Sequence, residues 1–442
     1  MTRSAQPRPD AARVVKQTRL HRLRKLAALV FLLSCAAWYW RQTVWNIIPT
    51  LGGPSDFRKY YNAAHEILEG HSPFAAAGYI YPPLLAELFT PLAHLDYLEA
   101  RWVWFLISQA CLLVAAGLIW RVFGRDWPMA CSIALVWATA GATAEALWLG
   151  QLSPLLALLL AAAYTSIQWR QGAALGVGFA LKFIPGALAI GLLLNRSRAG
   201  VMAFLASLSV LLALPWLYVS CCLSGPRTPV GSDMWTGTPA PLSWSLPSIV
   251  LRMLDRPAHP GELPLNWSVV ELSDLRLPGD ERAASVATAA ITMIAGALVL
   301  FIAVGGRLSA KQLPWAMAGL LSLGLAASPV SWTHYQAMQC PGMAMLLAHA
   351  FRQRRWRLLF VALLCAAALY PLPVAVLGAY YRQHNTWNTV PLAVMYFWTS
   401  IATLASLVLF GLFAREARRA PTSVSETARV FTPLDGINSG RP

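Results

Sequence analysis

The chain is 442 residues long, 57% hydrophobic and only 12% charged, with a mean hydropathy of +0.52 and a formal net charge of +16. A soluble domain carries about 25% charged residues, and half of that cannot cover a water-facing surface of this size. A soluble globular enzyme is therefore excluded, and so is a disordered chain, leaving an all-α polytopic integral membrane protein whose positive charge reads as topology rather than as a nucleic-acid surface.

Residues 1–25 are basic and polar, and the apolar stretch that follows has no small-residue cleavage site before Trp38-Tyr39-Trp40. It reads as an uncleaved first span ending in an aromatic belt. Apolar runs of roughly spanning size occur at 26–45, 101–120, 128–149, 152–168, 200–219, 283–304, 312–328, 335–350, 357–378 and 389–413. A further run, 172–194, is interrupted by Gly176, Gly178, Lys182, Pro185 and Gly186. Together these predict a bundle of about 10–12 membrane helices over 26–413.

Charge then sets the order. With the N-terminus cytoplasmic and 172–194 entering and returning to the same side, 24 of the 35 Lys and Arg fall in inside segments and nine outside. If 172–194 crossed instead, Arg352, Arg354, Arg355 and Arg357 would face outward, which the positive-inside rule disfavours. Both termini are thus expected in the cytoplasm of a bacterial-type plasma membrane, with external loops at 46–99 and 220–282. Residues 414–442, rich in Ser, Thr, Pro and Arg, read as a disordered tail. The seven cysteines form no CxxC pair and no Cys/His ligand spacing, so neither a zinc nor an iron–sulfur cofactor is expected.

The first external loop carries apolar or aromatic residues at 57, 60, 61, 64, 67 and 68, a helical period closed by Gly70. Asp56 stands at the start of this amphipathic helix. It is either the cap or, if Ser55 caps, an acid free for other work. Tyr81-Pro82-Pro83 then turns the chain into a second interfacial helix at 84–93. Gly150-Gln151-Leu152-Ser153-Pro154 is an external turn with Glu145 and Trp148 just before it. Lys182 is a cation inside an apolar segment, which costs about 3 kcal/mol or more unless it faces a cavity or a partner. An anion such as a phosphate is its natural counter-charge. Ser328 to Tyr335 is another external turn, with His334 on the same outer face. An acid, tyrosines, a Gln, a His and a buried Lys suit chemistry on a lipid phosphate: the carboxylate as general base, the cations holding the leaving group.

These strings resemble a known family. Asp56-Phe57-x-x-Tyr60-Tyr61-x-Ala63-Ala64, with Gly70, Pro73, Tyr81-Pro82-Pro83 and Pro91-Leu92-Ala93, is similar to glycosyltransferase family 87, membrane-embedded enzymes of the GT-C class. The likeness continues, in the family's order, through Gly150-Gln151, Leu181-Lys182-x-x-Pro185 and Ser328-Pro329-x-Ser331-Trp332-x-His334, with a looser match at Trp244 to Pro247 and Arg252. Ser153 stands where the family commonly has Asn, and Tyr335 where it has a second His. The resemblance implies inverting transfer of a hexose, of mannosyl type, from a polyprenyl-phosphate-sugar donor to a glycolipid or glycan acceptor on the external face, without a metal. It implies Asp56 as the base, Lys182, His334 and Arg252 at the donor phosphate, and Tyr60, Tyr61, Tyr81, Gln151 and Trp332 around the sugar. The competing class is a lipid-linked sugar flippase or other transporter. It would explain the many spans and the buried Lys, but not an acid and two amphipathic helices directly after the first span.

Overall fold

The computed structural model describes residues 11–53, 55–228, 245–254, 281–328, 331–369 and 392–420. Every extended element among them is helical, and β pairing is limited to isolated bridges such as His71 with Ser224. Helix α1 (Ala11–Arg41) begins well inside the basic N-terminal stretch. It continues through a π turn and a 3-10 turn at Pro49, so that Arg22–Thr50 is long and apolar enough to span. Leu26, Leu29, Val30, Leu33, Trp38, Trp40 and Trp45 stay exposed along it. Such a stripe matches lipid and would be a liability in water.

Five helical stretches among the described residues have the length and composition of a span: Arg22–Thr50, Tyr97–Phe123, Arg198–Cys222, Ala283–Ala303 and Ser400–Arg419. A sixth is the bent pair Trp127–Thr139 and Gly141–Leu149, which turn by 54° where Ala140 leaves the helical region. Several other apolar runs form shorter helices, bounded where Gly150, Ser166 or Ser328 leaves the helical region. Among these, Leu313–Ala327 and Cys340–Arg352 are buried on nearly every face and form the centre of the bundle. The helix Leu392–Arg419 runs six residues past the expected start of the tail, and 421–442 lie outside the described residues.

The interrupted segment 172–194 folds for a different reason than its glycines suggest. Gln168–Leu181 is one continuous helix through Gly172, Gly176 and Gly178. A Cβ at Gly172 would lie 1.8 Å from the Gly200 carbonyl oxygen, and one at Gly176 2.8 Å from that of Phe204. These two glycines let the helix touch Arg198–Leu208 backbone to backbone, as small residues do in membrane bundles. The break comes at Lys182, extended at φ −160° and ψ 124°, before the 3-10 turn Ile184–Leu188 and the helix Ala189–Leu194. Pro185 packs on Gly178 and Gly186 on Phe179, so the segment doubles back on itself. Both its ends meet Gly200, which lies beside the Gln168 carbonyl and Leu192. Lys182 is therefore at the tip of a hairpin.

Polar ties join the turns that the charge pattern groups as inside. Arg352 grips Asp126 through two 2.7 Å bonds and donates to the Phe123 carbonyl at 2.8 Å. That guanidinium holds the Asp126 carboxyl below the usual carboxylate range. Asn195 donates to the Leu308 carbonyl at 2.7 Å, and Arg355 pairs with Glu416.

Candidate functional site

Helix Phe57–Leu68 buries Phe57, Tyr60, Ala63, Ala64 and Ile67 and ends where Gly70 turns left-handed at φ +82°. Helix Pro83–Ala93 packs against it, started by Pro83 as the sequence predicts. Asp56 occupies the N-cap position but its side chain makes no capping bond, and the Ser55 hydroxyl is engaged with the Tyr97 phenol at 3.0 Å. The carboxylate is used elsewhere. Its Oδ1 meets Lys59 Nζ at 2.7 Å, and its Oδ2 accepts from the Gln151 side-chain amide. Gln151 in turn accepts the Tyr60 phenol at 3.1 Å. Residues 95 apart in sequence thus form one chain of bonds ending on the acid.

The turn that presents Gln151 is fixed from behind. Gly150 caps its helix at φ +70°, where a Cβ would collide with Phe57 and the Arg101 guanidinium. Arg101, fully buried, donates to the Leu147 and Trp148 carbonyls at 2.7 Å each, and the Trp104 indole donates to the Gly150 carbonyl at 2.9 Å. A guanidinium at a helix C-terminus satisfies orphan carbonyls and opposes the dipole.

On the other side of the acid, the Lys182 ammonium is buried without a hydrogen-bond acceptor. It lies 3.5 Å from the centroid of the Tyr335 ring and 5.7 Å from that of Tyr81, a cation–π environment. His334, in the turn between the two central helices, is also buried with neither ring nitrogen hydrogen-bonded. Asp56 is near enough to act electrostatically on Lys182, Tyr81, His334 and Tyr335. Two buried nitrogens lacking acceptors, near an oriented carboxylate, form a set of groups able to bind an anion.

Comparison with known proteins bears on the chain as a whole. Residues 79–242 match the family model of glycosyltransferase family 87, a stretch that includes Tyr81, Gln151 and Lys182. A polyprenol-phosphate-mannose-dependent alpha-(1-2)-phosphatidylinositol mannoside mannosyltransferase of Mycobacterium tuberculosis is 24% identical over 347 residues, 74% of this chain and 75% of that one. The chain is a glycosyltransferase whose residues 79–242 are similar to family 87. An alpha-(1->3)-arabinofuranosyltransferase of the same species is 29% identical over a shorter 176 residues, 36% of this chain and 40% of that one. A crystal structure of ArnT from Cupriavidus metallidurans in the apo state overlays with a TM-score of 0.40 at 13% identity, covering 89% of this chain and 78% of the other.

In this glycosyltransferase the structure brings together Asp56, Tyr60, Tyr81, Gln151, Lys182 and His334. Burial first, then the Asp56 charge, pushes the Tyr81 phenol up to about 12, and burial raises Tyr60 as well, so both remain protonated donors near neutral pH. Tyr61 is not with them. One residue further round the helix, it donates to the Leu95 carbonyl at 2.7 Å, stacks on Phe57 and meets Tyr97 and His65 edge-on. Trp332 is half-buried against the core next to His334, whereas the Arg252 side chain and residues 329–330 lie outside the described residues.

Sequence reasoning missed Lys59, Tyr335 and Arg101, and it gave Glu145 no role. One Glu145 oxygen accepts from the Thr333 hydroxyl and the other lies 3.9 Å from His334 Nδ1. Burial lowers the imidazole's pKa while Glu145 opposes the shift. The 333–339 turn packs on the helix that carries Glu145, a pairing across 188 residues that no local motif announces.

Proposed function

We propose that this glycosyltransferase moves a mannosyl residue from a β-linked polyprenyl-phosphate donor to a hydroxyl of a glycolipid or glycan. The reaction takes place on the external face of the membrane, inverts the anomeric centre and forms an α linkage. The observation that carries the reading is the pair of buried, acceptor-less nitrogens at Lys182 and His334 within the field of Asp56. A donor phosphate supplies the missing acceptors. The sugar then lies between that phosphate and the carboxylate, among the Tyr60, Tyr81 and Gln151 donors. The mannosyl choice follows the relative that aligns over three quarters of its length, in preference to the arabinosyl relative that aligns over 40%. The external face follows from the 24-to-nine distribution of basic residues.

Asp56 accepts the proton of the acceptor hydroxyl as its oxygen attacks the anomeric carbon. The bond from that carbon to the phosphate oxygen breaks, and polyprenyl phosphate leaves with the electron pair. Lys59 and Gln151 use one lone pair on each carboxylate oxygen and leave the others to the acceptor. Lys182 and His334 stabilise the charge that accumulates on the leaving phosphate. The test is purified protein with synthetic polyprenyl-phosphate-mannose and a membrane glycolipid extract. The expected result is a product heavier by one hexose, with release of polyprenyl phosphate. Transbilayer movement of intact donor in vesicles, with no new glycosidic bond, points to a flippase instead.

Glu145 enters this scheme through His334. Glu145→Gln keeps an acceptor for Thr333 but removes the charge that favours the imidazolium. Activity that needs the imidazolium is present below its pKa and lost as pH rises through it. Removing Glu145 moves that alkaline limb of kcat/KM to lower pH, with roughly a tenfold loss above the shifted limb. An unchanged pH profile in a folded variant removes Glu145 from the site.

A further inference from the structure

Arg101 does more than a helix cap requires. The helix Gly141–Leu149 already closes on itself, because left-handed Gly150 lets its own N–H reach the Leu147 carbonyl and the Gln151 N–H reach that of Ala146. The guanidinium adds its bonds to Leu147 and Trp148 on top of these, through Nη2 alone. Its Nε and Nη1 are buried with no acceptor. A cation shut inside a membrane helix with most of its donors idle costs stability, and such a residue ordinarily serves a site.

The neighbours show what that cost maintains. Tyr97, Arg101 and Trp104 stand at i, i+4 and i+7 of the helix Tyr97–Phe123, on one face. On one side, the Tyr97 phenol lies 3.0 Å from the Ser55 hydroxyl and its ring 5.8 Å from that of Phe57, so both chain neighbours of Asp56 rest on this face. On the other, Arg101 and the Trp104 indole hold the carbonyls of Leu147, Trp148 and Gly150, the turn that leads into Gln151. The two sides meet at the guanidinium. A Cβ at Gly150 would lie 2.7 Å from Phe57 Cβ and 2.9 Å from Arg101 Cζ, and that Cζ is 5.5 Å from the centroid of the Phe57 ring. The acid and the amide that donates to it are thus mounted on one helix face and joined at Arg101.

We propose that Arg101 is a positioning residue for sugar transfer, keeping the Gln151 amide on Asp56 Oδ2 so that the carboxylate presents its remaining lone pairs to the acceptor hydroxyl. The inference rests on the reading of Asp56 as the base. Arg101 is fully buried behind the turn and acts through Gln151. Without it, the 147–151 turn and the Phe57 end of the neighbouring helix shift independently, and a misplacement of about 1 Å at a reacting group costs roughly 10²-fold. Lys182 sits on a separate hairpin, so the loss falls on kcat more than on donor binding.

The test uses the full-length detergent-purified protein with synthetic polyprenyl-phosphate-mannose and a membrane glycolipid extract. Arg101→Met is expected to lower kcat roughly 10²-fold and to change donor KM by less than about threefold. Arg101→Lys keeps a donor for the carbonyls but not the plane against Phe57, and is expected to recover about tenfold of that loss. The deciding readout is the cycle with Gln151→Ala. Because Arg101 acts through Gln151, the double variant is expected to be no more than about threefold slower than the slower single variant. Trp104→Phe removes only the donor to the Gly150 carbonyl. It is expected to lower kcat several-fold with the same dependence on Gln151, and serves where Arg101→Met does not fold. Losses that multiply in the double variants, a fall in Tm without a fall in kcat, or a loss confined to donor KM overturns the inference. Failure of the underlying reading looks different: Asp56→Asn then turns over near normally, while the cycle still decides whether Arg101 acts through Gln151.

Discussion

Asp56→Asn is expected to lower sugar transfer at least ~10³-fold while leaving the protein folded, within the range contributed by positioned general bases. The separation of the two effects comes from the geometry. Asp56 stands at a helix start, where removing a capping carboxylate ordinarily costs about 1 kcal/mol. Here the side chain makes no cap bond, so that penalty does not arise. The remaining partners are Gln151, which an Asn oxygen can still satisfy, and Lys59, whose side chain is 44% exposed and is solvated when its partner loses charge. An exposed pair of this kind is worth at most about 1 kcal/mol. What the variant cannot do is accept a proton. Turnover with synthetic polyprenyl-phosphate-mannose reads the chemistry, and Tm in detergent reads the fold. Near-normal turnover with an unchanged Tm would remove Asp56 as the base.

The residues around Asp56 illustrate what is legible along a sequence. The helical period from Phe57 to Leu68, the Gly70 stop and the proline start at Pro83 are local signals, each enforced by backbone sterics, and each is present in the fold. Gln151 and Lys182 were visible as polar residues that an apolar setting does not explain, and burial makes such residues informative. Tyr61 points away from Tyr60 although the family string carries the two together, because a helix turns adjacent residues about 100° apart. Only Tyr60 faces Gln151.

What stayed hidden is pairwise and long-range. Glu145 is one acid near a turn until the fold brings it against Thr333 and His334. Arg101 is one basic residue at the start of an apolar run until the fold shows it fully buried and bracing the Gly150–Gln151 turn. Gly176 passed for a helix breaker because glycine has two uses, and only the presence of Phe204 opposite it, and of Gly200 opposite Gly172, shows that close approach is the one in force. The break lies at Lys182, where the hairpin tip lifts an ammonium toward Asp56 and not into lipid.

Replacing that ammonium yields the second large effect. Lys182→Met is expected to reduce kcat/KM for the polyprenyl-phosphate donor by roughly 10²–10³-fold, since losing one partner of a buried charge contact costs about 2–5 kcal/mol. The same change is expected to leave the Tm unchanged or to raise it. In the free protein Lys182 Nζ is buried without an acceptor and rests on the faces of Tyr335 and Tyr81, so a thioether of similar length removes a desolvation cost and keeps the packing. Opposite signs for stability and activity mark a group held ready for a ligand, where a merely structural lysine would lose both together. Lys182→Arg keeps the charge but forces a broader head between two aromatic rings, and is expected to recover only part of the donor affinity. The discriminating measurement is donor KM and kcat at fixed acceptor, alongside thermal unfolding. A Met variant that binds donor normally, or one that loses stability in proportion to activity, removes Lys182 from the phosphate site and leaves His334 as its remaining described nitrogen.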